Sequence, residues 1–374
     1  MTSKIQRILS AATVEYIHNN HVSFQQVKAL NAIGSCRTKN MGTHSLSCSC
    51  GHMKTINNSC GNRHCPVCGS FKKELWVMKQ QESLLPSHYF HLVFTLPDTL
   101  NSFIYFNQKE LYSLMYQAAS KTLLELSADK FGVTPGFTLV LHTWGQNLGY
   151  HPHLHCILAG GGLSLDQTHF KTFKKKFFIH IKILSALFKG KFLHGFKELL
   201  TQGSLYSPNN LQDTLTSFLD DLYSKDWVVF SRPVFKCAAH VIKYLARYTH
   251  RVAISDHRII SVTDTQVSFN YLDNRDGKKK SLTLSQEEFV HRFLMHILPH
   301  KFVKIRHYGF LSNRFRSEKV ALCRKLIARQ KGVKLIFPKL PDKLTLLEAL
   351  IGKENLCCPK CGRYFTYNHE VCLT

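Results

Sequence analysis

Acidic residues are scarce in this sequence. Asp and Glu together number 24 against 49 Lys and Arg, which gives a formal net charge of +25 at pH 7. A positive surplus of that size attracts polyanions, and nucleic acid is the commonest polyanion in a cell. The charge therefore favours a nucleic-acid-binding protein over two alternatives, a charge that only maintains solubility and a protein that binds anionic membranes.

Long hydrophobic runs are also missing. No apolar run approaches the length of about 20 residues that a membrane-spanning helix requires. Residues 1–20 lack the apolar core of a signal peptide and are typical of an amphipathic helix. We therefore expect an intracellular protein without a membrane partner. In such a reducing compartment the 13 cysteines are metal ligands before they are disulfides.

The length and the pattern of the chain predict an α+β protein. A chain of 374 residues with 44% hydrophobic residues is expected to form two or three domains with buried cores. The central order of strand, helix, strand, strand and helices is typical of a mainly antiparallel sheet with helices on one side. The Gly160–Gly162 run is expected to form a turn. The predicted helices are 4–18, 23–33, 70–85, 107–127, 169–188, 210–224 and 235–250. The predicted strands are 89–96, 137–143, 153–159 and those of an alternating region at 258–284, whereas 36–68 is predicted as loop and the chain after 284 as mostly helical.

A cysteine-rich segment near the N-terminus predicts zinc. Cys65-Pro-Val-Cys68-Gly69 has the form of a zinc knuckle, a tight turn that directs two thiolates at one ion. One structural site is expected, with a second as an alternative, and a reduced cluster without metal is the opposing interpretation. The strongest ligand candidates are Cys36, Cys60, Cys65 and Cys68, followed by His44, Cys48, Cys50 and His64.

A second cysteine-rich segment lies near the other end of the chain. Cys358-Pro-Lys-Cys361-Gly362 repeats the knuckle pattern, and His369 and Cys372 follow it. These four residues are predicted to close a separate C-terminal module, which brings the expected number of zinc ions to between one and three. Three isolated cysteines are expected to be small core residues: Cys156, Cys237 and Cys323.

The sequence His153-Leu-His155 predicts half of a metal site. Side chains two apart on a strand point to the same face, so the two imidazoles project together. Gln146, on the connection from the preceding strand, is nominated as the third ligand, with His142 and His151 as weaker options. Mixed nitrogen and amide-oxygen ligands suit Mg²⁺ or Mn²⁺ with open water positions. The alternative is a polar strand face without metal.

Two tyrosines occupy one face of a predicted helix. Tyr244 and Tyr248 are four residues apart, and Lys243, Arg247 and Arg251 flank them. A phenol with an ordinary pKa of about 10 can attack phosphorus when neighbouring cations favour the phenolate and a metal neutralises developing charge. The covalent tyrosine–phosphate product keeps the bond energy, which agrees with the lack of a Gly-x-x-x-x-Gly-Lys-Ser/Thr nucleotide-binding loop. The alternative is an amphipathic helix whose tyrosines cap the core.

In this order the motifs resemble the IS91 family of bacterial insertion-sequence transposases, within the HUH (His-hydrophobic-His) nuclease superfamily. The segments that carry the resemblance are Cys60–Cys68, His142–Gln146, His151–Gly162, Tyr244–Ser255 and Arg306–Leu311.

The resemblance implies a domain plan. It comprises a helical and loop-rich transposase zinc-binding domain at 1–88 and an HUH catalytic domain at 89–270. The catalytic domain has a central antiparallel sheet, an RRM-like palm, together with the tyrosine helix. A basic, mostly helical region with the C-terminal knuckle follows at 271–374. In one respect the sequence departs from the family pattern, because Cys48-Ser-Cys50 is tighter than the expected Cys-x-x-Cys.

The resemblance also implies an activity. Such enzymes nick single-stranded DNA at the ends of the element with Mg²⁺ or Mn²⁺ and join tyrosine to the 5′ phosphate, in rolling-circle transposition. His153 and His155 would bind the metal, and Tyr244 and Tyr248 would be the nucleophiles, in the cytoplasm at the bacterial nucleoid. The alternatives are a rolling-circle replication initiator or relaxase with the same chemistry, and a non-catalytic zinc-dependent DNA-binding protein.

Exposed basic tracts are expected to follow the DNA backbone. Phosphate contacts of that kind raise affinity without reading sequence. The alternative is that these lysines only form solvated faces. The candidates are Lys174, Lys175, Lys278, Lys279 and Arg251.

Overall fold

A computed structural model describes residues 3–174, 178–207, 215–234, 253–273, 276–332 and 342–367. The predicted helix 235–250 therefore lies outside the described residues. So do eight predicted site residues: Lys175, Lys243, Tyr244, Arg247, Tyr248, Arg251, His369 and Cys372.

The described chain combines helices and strands throughout. The helices are α1 Lys4–Asn19, α2 Phe24–Ser35, α3 Gly69–Gln81, α4 Asn101–Phe106, α5 Gln108–Phe131, α6 Ile181–Thr201, α7 Leu215–Ser224, α8 Gln286–Leu294, α9 Arg316–Lys331, α10 Lys343–Ile351 and α11 Lys353–Leu356. The strands are β1 Thr43–Ser47, β2 Met53–Asn57, β3 Tyr89–Thr95, β4 Val133–Trp144, β5 Tyr150–Ser164, β6 Phe170–Thr172, β7 Val229–Val234, β8 Ile259–Val262, β9 Gln266–Leu272, β10 Lys279–Ser285, β11 Ile305–Gly309 and β12 Thr366–Tyr367. Among the described residues, no helix is both long enough and apolar enough to cross a membrane.

A six-stranded sheet forms the centre of the molecule. Its strand order is β11-β4-β5-β3-β7, with β6 paired to β5, and every pairing in it is antiparallel. Two smaller sheets accompany it, β12-β1-β2 and β10-β9-β8. The predicted α+β class with a central antiparallel sheet is confirmed.

The two faces of the central sheet differ because side chains alternate along each strand. On one face Phe90, Phe94 and Phe137 are fully buried in a core that also contains residues of α5, α6 and α7. Burial of each such ring contributes on the order of 1.5–3 kcal/mol. This face is the one on which the sequence predicts helices.

The opposite face is only partly apolar. Val140 and Ile157 share a core with Val320 and Cys323 of α9. Helices therefore cover part of both faces, and the prediction of helices on one side only is wrong in this respect. The remainder of this second face carries histidines from β3, β4 and β5.

A separate core joins the N-terminal helices to residues between 253 and 297. It contains Ile8 of α1, Ile33 of α2, Phe269 of β9 and Phe289 of α8. Polar contacts reinforce the same packing: the Tyr16 hydroxyl lies 2.8 Å from Nδ1 of His291. The predicted domain boundaries lie after residues 88 and 270. This core contains residues from the segments before, between and after these boundaries.

Three local predictions differ from the structure. The predicted loop 36–68 contains the hairpin β1–β2, and the predicted helix 169–188 is instead β6 followed by α6. Gly160–Gly162 is not a turn but lies inside β5, where a Cβ on Gly160 would come within 2.5 Å of the His88 carbonyl oxygen. Contacts with neighbouring strands decide these segments, and such contacts override local propensity.

Candidate functional site

Three histidines converge on the second face of the central sheet. His142 of β4 pairs with His153 of β5, and His155 follows two residues later on the same face of β5. The ligand nitrogens of His142, His153 and His155 lie within 4.8 Å of one another, and Nε2 of His153 is 3.2 Å from Nε2 of His155. We call these three residues the histidine cluster.

Hydrogen bonds orient two of these rings. Nδ1 of His153 donates to the carbonyl oxygen of His151 at 2.7 Å, which leaves the lone pair on Nε2. Nδ1 of His155 lies 2.8 Å from Nε2 of His91 on the neighbouring strand β3. A partner on one ring nitrogen fixes the tautomer and turns the other nitrogen toward a metal, as is usual for histidine ligands.

Burial keeps these imidazoles neutral. Desolvation lowers the pKa of His153 to about 4 and the pKa of His91 to about 3. The pKa of His155 lies well below its ordinary value because of burial, with His153 and His91 adding to the effect. At neutral pH the rings therefore carry the lone pairs that a cation requires.

Gln146 is placed differently from the other predicted ligands of this site. It lies in the exposed turn between β4 and β5, where its carbonyl oxygen accepts a hydrogen bond from Arg258. The third imidazole of the histidine cluster belongs to His142, which the sequence analysis held as a weaker option. His151 is instead paired with Asp98 at 3.3 Å. A role of Gln146 as ligand stays a prediction.

Sequence reasoning missed a group of residues around the histidine cluster. Trp144 stacks on His142 with ring centroids 4.6 Å apart, and the ammonium of Lys304 lies 4.8 Å above the Trp144 ring. Burial lowers the pKa of Lys304 to about 7, and the charge of Arg63 adds to this effect. Of these residues, His91 could have been found from the sequence, because it is the one imidazole within the mainly apolar strand β3.

A first cysteine cluster consists of Cys36, Cys60, Cys65 and Cys68, whose sulfurs lie within 4.8 Å of one another. Cys36 ends α2 and Cys68 begins α3, so both helices direct a thiol to the same point. A hydrogen bond from the Cys65 thiol lowers the pKa of Cys68 to about 5. These four are the strongest zinc candidates of the sequence analysis, and the structure brings them together.

A second cysteine cluster joins distant parts of the chain. Cys48 and Cys50 meet Cys358 and Cys361, again with all sulfurs within 4.8 Å of one another. The predicted C-terminal module is thus not self-contained, because its knuckle faces the N-terminal hairpin. Four thiols already form a complete set there without His369.

His44 and His64 lie outside both cysteine clusters, which corrects their place among the ligand candidates. Nδ1 of His44 is 2.6 Å from Oδ1 of Asn58. Nε2 of His64 accepts a hydrogen bond of 3.1 Å from the backbone N–H of Leu298, and burial lowers the pKa of His64 to about 3. His44 is thus held by a side chain and His64 by the backbone of a distant segment.

The donor sets fit different metals. Four thiolates match the closed tetrahedral coordination of structural zinc. Three imidazoles leave coordination positions open, as a catalytic ion requires. Nitrogen ligands bind first-row transition ions more strongly than Mg²⁺, so of the two predicted ions Mn²⁺ suits the histidine cluster better.

The described lysines of the basic tracts lie on the surface. Lys174, Lys278 and Lys279 are exposed. The neighbouring Lys280 differs, because its ammonium is paired with Asp273 at 2.7 Å and Asp276 at 2.8 Å. The exposed lysines therefore keep their charge available for an anionic partner.

Two family models match this sequence, and both describe one class of protein. The model described as "Putative transposase" matches residues 136–319, which contain the histidine cluster. The model described as "Transposase zinc-binding domain" matches residues 8–96, which contain the first cysteine cluster. Both matches accordingly place this chain among the transposases.

Similar proteins extend the match over nearly the whole chain. "Putative transposase y4qJ" of Sinorhizobium fredii (strain NBRC 101917 / NGR234) is 39% identical over 349 residues, which cover 91% of this chain and 88% of that protein. "Transposase for insertion sequence element IS801" of Pseudomonas savastanoi pv. phaseolicola is 27% identical over 363 residues, covering 92% of this chain and 84% of that protein. No solved structure matches. The chain belongs to the IS91 family of transposases.

Proposed function

We propose that this transposase nicks and rejoins single-stranded DNA through a 5′-phosphotyrosine intermediate in rolling-circle transposition of an insertion sequence. The observation that carries the proposal is the histidine cluster, in which the buried rings of His142 and His155 and the half-buried ring of His153 lie on one face of an antiparallel sheet. A relative named for an insertion sequence element supports the substrate class. Both relatives are named as transposases, which favours this function over that of a replication initiator or relaxase.

The residues of the histidine cluster would hold a divalent ion, with Gln146 a further predicted ligand. When bound, that ion makes the phosphorus more electrophilic and neutralises charge on the phosphate oxygens. The carbonyl of His151 and the ring of His91 hold His153 and His155 in orientation. Lys304 lies next to Trp144 at the edge of this site, and because burial lowers its pKa to about 7 its amine is only partly protonated at neutral pH.

The nucleophiles in this proposal are the paired tyrosines, Tyr244 and Tyr248, with Lys243 and Arg247 favouring the phenolate. The paired tyrosines lie outside the described residues, and the described chain on either side of them is as follows. Strand β7 ends at Val234, opposite Tyr89 of β3.

The chain is described again from Ala253. This residue shares a buried core with Leu148, in the turn between the two histidine-bearing strands. The described residues on either side of the paired tyrosines are thus Val234 of β7 and Ala253, which is packed near the turn between β4 and β5.

The bond changes in this proposal balance without a nucleotide. The tyrosine oxygen attacks phosphorus, its proton leaves, and the bond from phosphorus to the 3′ oxygen breaks. The products are a tyrosine ester of the 5′ phosphate and a free 3′ hydroxyl, and attack by a 3′ hydroxyl reverses the step. DNA strands would lie along exposed cations, with Lys174, Lys175, Lys278, Lys279 and Arg251 contacting phosphates. The activity would take place at the bacterial nucleoid in the cytoplasm.

The decisive experiment looks for the covalent intermediate. The protein is incubated with labelled single-stranded DNA from the element end and Mn²⁺, and a denaturation-resistant adduct is measured. Tyr244→Phe and Tyr248→Phe, singly and together, assign the nucleophile. The double variant should form no adduct, and full adduct formation by it would reject the assignment.

A second pair of substitutions separates chemistry from binding. His153→Ala with His155→Ala should abolish cleavage while binding of the same DNA stays within about threefold, because the phosphate contacts come from other residues. If the variant cleaves at the wild-type rate, the histidine cluster is not the catalytic metal site.

A further inference from the structure

The second cysteine cluster is assembled from segments about 310 residues apart. The sulfurs of Cys48 and Cys361 are 3.2 Å apart across 313 positions of sequence. Those of Cys50 and Cys358 are 3.6 Å apart across 308 positions. Each half contributes two thiols, and two is half of what a tetrahedral zinc ion requires. Neither pair forms a closed site by itself.

The two halves are built alike. In the first, the N–H of Gly51 donates to the Cys48 carbonyl at 2.9 Å, and Gly51 has a φ of +79°. In the second, the N–H of Gly362 donates to the Cys358 carbonyl at 2.9 Å, with a φ of +73° at Gly362. Both turns thus end on a glycine in the left-handed region that other residues rarely adopt.

The turn at Cys48-Ser-Cys50 has the same hydrogen bond to a following glycine but is one residue shorter. In the longer turn, Cys358-Pro-Lys-Cys361, the backbone N–H of Lys360 donates to the Cys358 sulfur at 3.4 Å. In the shorter turn, the backbone of Cys50 makes a hydrogen bond with the Cys48 sulfur. The departure from Cys-x-x-Cys therefore still presents two thiols to one point.

The other described contacts between these segments are mainly exposed polar contacts, together with the Phe365 ring, which lies 6.0 Å from the ring of His52 and 5.8 Å from Nζ of Lys54. Strand β12 pairs with β1 over two register positions, Leu46 with Tyr367 and Ser47 with Thr366. The guanidinium of Arg363 donates to the Ser49 hydroxyl at 3.0 Å in an exposed position. Exposed hydrogen bonds contribute little to stability because water competes for the same groups. A metal ion bound by four thiolates would add a much stronger link between the two segments than these contacts.

We propose that Cys48, Cys50, Cys358 and Cys361 bind one structural zinc ion that fastens the C-terminal segment to the N-terminal hairpin β1–β2. The knuckle of Cys358 and Cys361 lies outside both matched family ranges, 8–96 and 136–319. The site closes a loop of about 310 residues, so its ion restrains the whole chain between its two halves. It is independent of the tyrosine chemistry proposed above.

The competing arrangement has two separate sites. In it, Cys48 and Cys50 share an ion with local N-terminal ligands, and Cys358 and Cys361 share another with His369 and Cys372. The two arrangements predict different zinc counts. The shared site gives two structural ions in the protein, one in each cysteine cluster, whereas separate sites give three.

The test measures bound zinc per chain by plasma mass spectrometry in a His153→Ala, His155→Ala background, so that the histidine cluster does not contribute. The background protein should hold two ions. Cys48→Ser with Cys50→Ser should lose one of them, and Cys358→Ser with Cys361→Ser should lose the same one. The variant with all four substitutions should still hold one ion.

Controls fix the interpretation. Cys323→Ser, at a buried cysteine outside both clusters, should keep both ions. His369→Ala with Cys372→Ser should also keep both. The proposal is overturned if the fourfold variant loses two ions from a total of three. It is also overturned if either double variant keeps its full complement or if removal of His369 and Cys372 releases an ion.

Hydrogen exchange on the full-length chain without cysteine substitutions provides a readout that does not depend on how the variants fold. As chelator is increased, the amides of 43–57 and 357–367 should lose protection together, at one chelator concentration. The central sheet should stay protected at that point. Loss of protection in one segment at a chelator concentration that leaves the other protected would contradict a shared ion.

Discussion

The cysteine clusters and the histidine cluster show two different uses of metal ligands in one chain. Each cysteine cluster offers four thiols, a complete set for a closed zinc site. The histidine cluster offers three imidazoles on a rigid sheet and leaves positions open. Closed sites contribute free energy of folding, whereas open sites contribute chemistry. Loss of one cysteine ligand should therefore lower mainly the stability of the protein, whereas loss of one histidine ligand should lower mainly its cleavage activity.

The largest expected effect is a loss of stability when one ligand of the first cysteine cluster is removed. Cys65→Ser removes a buried thiol from the predicted closed zinc site, and zinc binding is coupled to folding in such modules. We expect a loss of more than about 3 kcal/mol in the free energy of unfolding, measured by urea denaturation. His153→Ala should cost less than about 2 kcal/mol by the same measurement.

Equal losses of stability in these two variants would break the comparison, because the histidine cluster would then also be structural. Cys323→Ala provides the matched control. It shortens a buried cysteine that belongs to neither cluster, and it should cost about 1 kcal/mol.

The next effect concerns the support of the open site. His91 holds Nδ1 of His155 at 2.8 Å, and loss of such a supporting partner typically weakens metal binding by about 10–100-fold. His91→Ala should therefore raise the Mn²⁺ concentration needed for half-maximal cleavage by that factor, with the cleavage rate at saturating Mn²⁺ reduced much less.

His151→Ala is the control for His91→Ala. The side chain of His151 is paired with Asp98, and it is the His151 carbonyl that supports His153. The Mn²⁺ requirement should therefore change by less than about twofold. If both variants shift it equally, the hydrogen bond between Nδ1 of His155 and Nε2 of His91 is not what orients His155.

A further contrast lies in the response to pH. The pKa of His153 is lowered to about 4 in the folded protein, against 6.5 for an ordinary histidine. Between these values the unfolded chain binds protons that the folded chain does not, so acid lowers stability. At about 1.4 kcal/mol per unit, His153 alone accounts for about 3 kcal/mol.

The free energy of unfolding, measured without added metal, should therefore be insensitive to His153 above pH 6.5 and fall between pH 6.5 and 4. In His153→Ala this fall should be shallower. The same slope in both proteins would show that His153 does not remain neutral in the folded state.

The sequence alone could predict those structural features that depend on local periodicity. The same-face projection of His153 and His155 follows from the two-residue repeat of a strand, and α1 and α2 follow from amphipathic spacing. The contribution of His142 depends on the register between β4 and β5, and that of His91 on the register between β3 and β5. Register is set by contacts across the sheet, which a single sequence does not display.

The pairing of Cys48 and Cys50 with Cys358 and Cys361 was beyond local reasoning for a similar cause. Each knuckle is readable by itself, and either could be completed by nearby histidines or cysteines. The choice between these partners is made by long-range packing, in which α1 contacts α8 and β1 contacts β12. Patterns along the chain thus identify ligands well and their partners poorly.

The smallest expected effect is on DNA affinity. It concerns the surface lysines, some of which are exposed while one is paired with carboxylates. Lys278 and Lys279 are exposed, whereas the ammonium of Lys280 lies between the carboxylates of Asp273 and Asp276. Each lysine that contacts a phosphate of single-stranded DNA adds about 0.7 to the slope of log affinity against log salt. Lys278→Gln with Lys279→Gln should therefore reduce that slope by about 1.4, with affinity a few-fold lower at low salt.

Lys280→Gln is the matched control for these surface lysines, since its charge is already neutralised by two carboxylates and its loss should leave the slope unchanged. The measurement is fluorescence anisotropy with labelled single-stranded DNA between 50 and 200 mM salt, a range over which such contacts change affinity strongly. If Lys280→Gln lowers the slope as much as the double variant does, pairing with Asp273 and Asp276 does not decide which lysines meet DNA. If neither variant changes the slope, the turn before β10 lies away from the path of the strand, and Lys174 on the other exposed tract becomes the position to test next.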